Sequence, residues 1–176
     1  MAKSNLTPEY RLRLKNYYTQ CAISEGSKLI LFSLFFYFSS LFKEYLVTLF
    51  FLLFLRTNGG GIHCKKYRNC LLLSFFMILG NILLAEHFPP PQVIFSTVLL
   101  ICLPLMIVLV PIPSSYRPKL SDKTIKKSKI STLLFTIFFI LSSCTIAPDI
   151  IRNIGFWTFV IHTLQLVLAK ILSKWR

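Results

Sequence analysis

A short basic segment between two apolar runs contains the residue types that thiol chemistry requires. It reads Arg56-Thr-Asn-Gly-Gly-Gly-Ile-His-Cys-Lys-Lys-Tyr-Arg-Asn-Cys70, which places His63 seven residues before Cys70. A thiolate is a strong nucleophile, and a nearby imidazole can accept its proton and later return one to a leaving group. Glycine adds the backbone freedom with which a chain bends around a substrate. The segment therefore predicts a cysteine peptidase with His63 and Cys70 as its catalytic residues.

The sequence around Cys70 favours the ionised form of its thiol. If a helix begins at Cys70, Asn69 is a natural N-cap and the positive end of the helix dipole lies beside the sulfur. Lys66 and Arg68 add positive charge close by in the chain. Positive charge and helix N-termini both stabilise a thiolate. These three features favour Cys70 over a merely structural buried cysteine.

Other assignments of the same residues remain open. Cys64 is the alternative nucleophile, although side chains adjacent in sequence, such as those of His63 and Cys64, usually point apart. A zinc site made of His63, Cys64 and Cys70 lacks paired spacing and an evident fourth ligand, so we expect neither a metal nor another cofactor. A third catalytic residue is not evident, and Asn58 or Ser74 is as suitable an orienting group as a carboxylate.

Geometry limits the conformation of this segment. A continuous helix over residues 63–70 would separate His63 from Cys70 by about 10 Å along its axis, whereas proton transfer needs about 3 Å. We therefore expect that residues 63–70 do not form one regular helix in the active state. Glycines 59–61 supply the bend, and their N–H groups are candidates for an oxyanion hole. A plain interfacial turn is the alternative role of these glycines.

Composition indicates an integral membrane protein. The chain has 176 residues, of which 55% are hydrophobic, with 17 phenylalanines and a mean hydropathy of +0.65. Such apolar content exceeds what a soluble domain of this size carries. We expect a single all-α membrane domain, 1–176, with about six transmembrane or short re-entrant helices. The apolar runs are 29–42, 45–55, 71–85, 92–110, 131–147 and 154–172.

Charge predicts how these runs cross the bilayer. The net charge is +14, and cytoplasmic loops of membrane proteins collect Lys and Arg; no nucleic-acid-binding module is evident, so we expect no nucleic-acid partner. Six crossings with cytoplasmic termini put 18 of the 20 Lys and Arg residues inside. One 27-residue helix through Lys43 and Glu44 would spoil this partition, which favours a break near Ser39–Glu44. Pro111–Lys129 then forms most of a basic cytoplasmic loop, 111–130.

Two further segments carry specific expectations. Residues 1–28 predict an interfacial amphipathic helix, with Thr7 as N-cap and Pro8 in the first helical position; a helix packed on the protein itself is the alternative. Within the last apolar run, His162 forms a polar stripe with Thr158 and Gln165 at helical spacing. Polar residues inside a span usually face a partner helix, so we expect interhelical hydrogen bonds here rather than a direct catalytic role.

The sequence resembles the accessory gene regulator B (AgrB) family of Gram-positive quorum-sensing peptidases. The resemblance rests on Gly60-Gly61-Ile62-His63, on Cys70 seven residues after the histidine, and on Arg56 just before. It extends to the order of apolar runs, the chain length and the proline-bounded basic loop. The additional Gly59 and the thiol of Cys64 depart from the family pattern.

The resemblance implies a function and a set of site residues. It implies removal of the acidic tail of an AgrD-like precursor peptide and closure of the signal segment into a thiolactone or lactone ring. It also implies a homodimer in the cell membrane, with His63 and Cys70 matching the catalytic pair. A small transporter or pore-forming protein is the competing class, and a non-catalytic scaffold is a third. The residues expected to bind substrate are Arg56, Gly60, Gly61, Lys65, Lys66, Arg68, Lys126 and Lys127.

Overall fold

The computed structural model describes residues 8–62, 66–112, 122–145 and 149–174. Over these ranges the chain forms six α-helices, one at each apolar run, so the predicted all-α membrane fold is confirmed. Thr7 lies outside the described residues. The helices are α1 (Pro8–Phe38), α2 (Phe42–Gly59), α3 (Tyr67–His87), α4 (Gln92–Leu109), α5 (Asp122–Thr145) and α6 (Asp149–Lys174).

The N-terminal segment and the first apolar run form one continuous helix. α1 extends over 31 residues from Pro8, which occupies the first helical position as expected. No break separates residues 8–28 from the apolar part that follows, so the predicted N-terminal helix is continuous with the first apolar run, and its interfacial location stays a prediction. The physical reason is that residues 19–32 contain no proline and a single glycine, so nothing interrupts the backbone hydrogen bonds.

A short turn separates α1 from α2. The N–H of Leu41 donates to the carbonyl of Phe36 at 3.0 Å, and Ser40 adopts a φ of 60°. A reversal of φ at one residue ends a helix. Lys43 and Glu44 therefore lie in the first turn of α2, and the predicted break between the first two apolar runs is confirmed.

Four of the described segments are long and apolar enough to cross a membrane. α2 is 18 residues long but carries Lys43, Glu44 and Arg56. Many apolar side chains are exposed along the helices, as a lipid environment requires; Phe38 is 81% exposed and Val108 75%. Six crossings and cytoplasmic termini stay predictions. The four segments are Tyr18–Phe38, Tyr67–His87, Gln92–Leu109 and Asp149–Leu172.

Residues Lys43–Arg176 form one compact unit in which α6 packs against α3 and α4, and α4 against α5. Phenylalanines supply much of its core. Phe54 of α2 stacks on Phe135 of α5 with ring centroids 3.8 Å apart, and Phe139 stacks on Phe159 of α6 at 5.1 Å. Gly155 leaves room for the Phe139 ring, because a Cβ atom there would overlap it. The stacked rings thus fix α2 and α5 against α6.

Polar contacts join the start of α6 to the end of α3. The amide nitrogen of Asn153 donates to the carbonyl of Ala85 at 3.4 Å, and the indole N–H of Trp157 donates to the carbonyl of Phe88 at 3.0 Å. Carbonyls at a helix C-terminus have no partner in their own helix, and side-chain donors satisfy them. We call this region, around Ala85 and Phe88, the Phe88 end of the unit.

Candidate active site at the glycine turn

The end of α2 passes into a tight turn of three glycines, Gly59–Gly61, which we call the glycine turn. The N–H of Gly60 donates to the carbonyl of Arg56 at 3.0 Å and continues the helical pattern. The carbonyl of Gly59 accepts from the N–H of Ile112 at 2.9 Å, just beyond the end of α4. The turn is therefore held to its own helix on one side and to the end of α4 on the other.

Gly60 occupies a position that other residues fit poorly. Its φ is +76°, a region that side chains with a Cβ atom rarely adopt, and a Cβ atom there would overlap the carbonyl oxygen of Ile112. This neighbour is backbone and cannot rotate away. Because the Gly60 N–H already bonds to Arg56, it is not available to an oxyanion in this conformation.

Two side chains of α6 face the other glycines of the turn. A Cβ atom on Gly59 would lie 2.8 Å from Nε2 of His162, and one on Gly61 would lie 3.1 Å from the amide nitrogen of Gln165. His162 is fully buried and Gln165 is 5% exposed. The absence of side chains on the turn thus lets its backbone approach these two polar groups directly.

The polar stripe of α6 does not form the interhelical hydrogen bonds that the sequence predicted. The hydroxyl of Thr158 donates to the carbonyl of Ile154 in its own helix at 2.7 Å. His162 and Gln165 interact with each other, but their ring nitrogens and side-chain amide atoms make no hydrogen bond of good geometry within the described part of the chain. The reason for the correction is that these two side chains face a glycine turn instead of a polar side chain of another helix.

Arg56 connects the turn to α3. One guanidinium nitrogen donates to the hydroxyl of Ser74 at 3.4 Å, while the Arg56 backbone carbonyl accepts the Gly60 N–H. The Arg56 charge also acts electrostatically on the buried ring of His162. Ser74 is buried and follows Cys70 by one helical turn, so the two side chains share a face of α3.

Cys70 lies in the first turn of α3, although the helix begins earlier than predicted. α3 begins at Tyr67, and Lys66 is its N-cap, with extended backbone and no side-chain cap hydrogen bond. Asn69 is therefore a helical residue and not the N-cap, because the chain turns into the helix before it reaches Asn69. Cys70 is 8% exposed, and it keeps the predicted position near the positive end of the helix.

The turn, Cys70 and the basic segment between them fall within a stretch that matches a known family. A model of the accessory gene regulator B family matches residues 1–166. The chain belongs to the AgrB family. An AgrB-like protein of Clostridium beijerinckii is 35% identical over 132 residues, which cover 73% of this chain and 66% of the relative, slightly less than two thirds of its length. No solved structure matches the chain.

Membership of the AgrB family links this membrane protein to accessory gene regulation in quorum sensing. Some residues that carry the family pattern are not described by the structure. The described residues do not include His63, Cys64 or Lys65. The alternative zinc site and the alternative nucleophile Cys64 therefore fall outside the described part of the chain. Lys66, immediately before α3, is extended, so the expectation that residues 63–70 do not form one helix is confirmed.

The remaining predicted AgrB site residues fall into two groups. Arg56, Gly60 and Gly61 lie together in or beside the glycine turn. The side chains of Lys66 and Arg68 are exposed at the start of α3, and those of Lys126 and Lys127 are exposed in the early part of α5. That part of α5 belongs to the predicted basic loop 111–130, whose residues 113–121 lie outside the described ranges.

Sequence reasoning missed several contacts of the site. Asn58, one candidate orienting residue, donates its amide nitrogen to the carbonyl of Phe54 in its own helix at 2.9 Å, whereas Ser74 bonds to Arg56. The sequence did not reveal the bond from Ile112 to the turn, because that bond uses a backbone N–H, which almost any residue can supply. Spacing did reveal His162 and Gln165 as a polar pair, but nothing local pointed to the turn as their neighbour.

Proposed function

We propose that this AgrB-family protein is a membrane cysteine endopeptidase that removes the C-terminal tail of an AgrD-like precursor and helps to close the remaining signal segment into a ring. The observation that carries the proposal is the hydrogen bond from Arg56 to Ser74. It joins the glycine turn at the end of α2 to the face of α3 that holds Cys70. The bond brings Arg56 and the glycine turn to the face of α3 on which Cys70 lies, which supports a role for Cys70 as the nucleophile.

In the first proposed step, the Cys70 thiolate attacks the carbonyl carbon before the acidic tail. His63 takes the thiol proton and then gives it to the nitrogen of the leaving tail. The carbon–sulfur bond forms in this attack, and the carbon–nitrogen bond breaks when the tail leaves. A thioester acyl-enzyme and a free tail amine result. In this proposal, Arg56 and the N–H groups of the turn other than that of Gly60 stabilise the negative charge that develops at the carbonyl oxygen.

In the second proposed step, a thiol within the signal segment attacks the acyl-enzyme. Its sulfur forms the new thioester as the bond to Cys70 breaks, and Cys70 recovers a proton. Because one thioester replaces another, this exchange is nearly isoenergetic, whereas hydrolysis is strongly downhill. A water-poor site therefore protects the ring, and holding both reacting ends raises their effective concentration. A serine hydroxyl in place of the thiol would give a lactone.

Basic residues supply the proposed substrate contacts. Exposed Lys66 and Arg68 carry charge complementary to an acidic tail, as do exposed Lys126 and Lys127. Cationic side chains near the membrane surface also attract anionic lipid. Gly60 and Gly61 complete the proposed binding surface through their backbone, which carries no side chain, and Lys65 belongs to it by its place in the sequence. We further propose a homodimer in the cell membrane of a Gram-positive bacterium, with both termini cytoplasmic.

The test is co-expression with the cognate acidic-tailed precursor, followed by mass spectrometry of the peptide. Wild type should release the tail, and Cys70→Ser should leave the precursor intact at equal membrane abundance. Cys102→Ser is the matched control, because Cys102 is a buried thiol within α4 and its loss should leave processing unchanged. Equal processing by wild type and Cys70→Ser would move the nucleophile to Cys64. An intact precursor with wild type would favour the transporter class.

A further inference from the structure

The glycine turn rests on two buried polar side chains that the proposed chemistry does not use. Nε2 of His162 lies 2.8 Å from where a Gly59 Cβ would be, and the Gln165 amide lies next to Gly61. The two side chains interact with each other, but none of their polar atoms makes a hydrogen bond of good geometry within the described ranges. Both residues lie in a membrane-spanning helix, where water is scarce.

Unpartnered polar groups in such a place carry a cost that ordinary packing would avoid. Leaving a buried donor or acceptor unpaired costs about 1–3 kcal/mol, and apolar residues of similar volume would remove this cost. The neighbouring Thr158 and Thr163 illustrate the usual arrangement, because each hydroxyl donates to a carbonyl of α6 itself. His162 and Gln165 make no such bond to the backbone of α6. Their polar atoms instead point at the turn.

We propose that His162 and Gln165 are positioning residues of the peptidase reaction: they form hydrogen bonds to the backbone of the glycine turn in a reactive conformation that the turn also adopts without substrate. This inference rests on the proposed function. Only glycines at positions 59 and 61 let the turn backbone come within reach of the two side chains. The turn directly precedes His63 in the chain, so its position sets where the proposed base enters the site. His162 and Gln165 therefore act through the turn and do not touch substrate.

The ring nitrogen that faces the turn makes the role of His162 specific. Nε2 is the atom nearest Gly59, and a glutamine side chain can place its amide nitrogen close to the position of an imidazole Nε2. His162→Gln should therefore preserve much of the function. His162→Leu keeps a similar volume but removes both polar atoms, so it separates hydrogen bonding from packing. Gln165→Leu does the same for the second side chain.

The first measurement is hydrogen–deuterium exchange of the full-length protein in detergent micelles, without any precursor. Peptides covering residues 56–62 should exchange at least about tenfold faster in His162→Leu and Gln165→Leu than in wild type. His162→Gln should stay within about threefold. Peptides from α3 serve as an internal check of folding. Thr158→Val is the matched control, because it removes a buried hydroxyl of α6 that bonds to its own helix.

The second measurement is precursor processing under single-turnover and steady-state conditions. Displacement of the turn should lower kcat by about a hundredfold in His162→Leu, with KM changed less than about threefold. His162→Gln should recover at least a tenth of the wild-type kcat, and Thr158→Val should match wild type. A role in folding alone would reduce the active fraction and leave kcat per folded molecule unchanged.

The two measurements separate the failure of each idea. Unchanged exchange at residues 56–62 in both leucine variants would overturn the positioning role, whether or not the wild type cleaves the precursor. Faster exchange together with no cleavage by wild type would support the contact between α6 and the turn but refute the peptidase. A kcat in His162→Gln as low as in His162→Leu would contradict hydrogen bonding through Nε2. If His162→Leu does not fold, hydrogen exchange at residues 56–62 in Gln165→Leu decides whether the positioning role holds.

Discussion

The polar side chains of α6 differ in their hydrogen bonding between the first and second halves of the helix. At the Phe88 end, Trp157 and Asn153 donate to carbonyls at or just beyond the end of α3, although the side-chain oxygen of Asn153 has no partner among the described groups. At the glycine turn, His162 and Gln165 are buried as Asn153 is, and their polar atoms make no hydrogen bond of good geometry with any described group. The first arrangement joins α6 to the end of α3 by hydrogen bonds, whereas the second leaves buried donors and acceptors that can still bond to the glycine turn.

The strongest test of the difference is Gly60→Ala. The new methyl group would meet the Ile112 carbonyl oxygen at a backbone φ of +76°, and such strain costs about 1–3 kcal/mol before any overlap is counted. We expect loss of precursor processing and a lower thermal unfolding midpoint by circular dichroism in micelles.

The control for Gly60→Ala is Gly80→Ala, within α3. Apart from the backbone of its own helix, no atom of the described residues lies within 4 Å of the position of a Cβ there, so alanine should be neutral or stabilise the helix by about 0.5–1 kcal/mol. Equal effects of the two substitutions would contradict the proposed constraint at the turn.

Gly59→Ala probes the contact with α6. The added carbon would lie 2.8 Å from Nε2 of His162, and we expect processing to fall about tenfold as the turn shifts away. Combining it with His162→Ala should cause little further loss, because neighbouring changes that disturb one contact are not additive. Rates from a mass-spectrometric time course would show this. Fully additive losses would mean that the turn does not rest on His162.

Ser74→Ala tests the link from the turn to α3. Removing the hydroxyl leaves the Arg56 guanidinium without this acceptor, which should reduce stability by about 1 kcal/mol and processing by about threefold. Ser143→Ala is the matched control, because the Ser143 hydroxyl is also largely buried but donates to the carbonyl of Ile140 in its own helix. A decrease of the same size in both variants would remove any special role of the Arg56–Ser74 bond.

The smallest effect is expected at the Phe88 end. Trp157→Phe keeps an aromatic ring but removes the donor to the Phe88 carbonyl, so the free energy of unfolding should fall by about 1 kcal/mol. Processing per folded molecule should not change, since this bond lies away from Cys70. A selective loss of processing in Trp157→Phe would erase the distinction between the two ends of α6.

The sequence predicted the helices well because apolar runs and charge reflect the membrane directly. It also identified the break before α2, because one helix through Lys43 and Glu44 would have spoiled the predicted partition of Lys and Arg across the membrane; both residues lie in the first turn of α2. The start of α3 was misplaced by three residues, because Asn69 is a good capping residue but Lys66 ends the extended segment. Capping preference is a local tendency that the path of the chain overrides.

The contacts of the site were less predictable than the helices. Local periodicity grouped Thr158 with His162 and Gln165, but the Thr158 hydroxyl bonds to its own helix and the two longer side chains do not. That the glycine turn is their neighbour depends on how α6 packs against α4 and on where α4 ends. Such packing joins residues about a hundred positions apart and leaves no mark in any short stretch of sequence.

The overlap that a Cβ atom at position 60 would make with the Ile112 carbonyl limits which substitutions can persist there. Every nonsynonymous change in a glycine codon that still specifies an amino acid introduces a β-carbon, and here that atom meets backbone that cannot rotate aside. No neighbouring codon offers a milder replacement, in contrast with positions where a side chain can yield. We therefore expect natural variation in the turn to arise by shifting the glycine run in register, or by changing its length, and not by point substitution at Gly60.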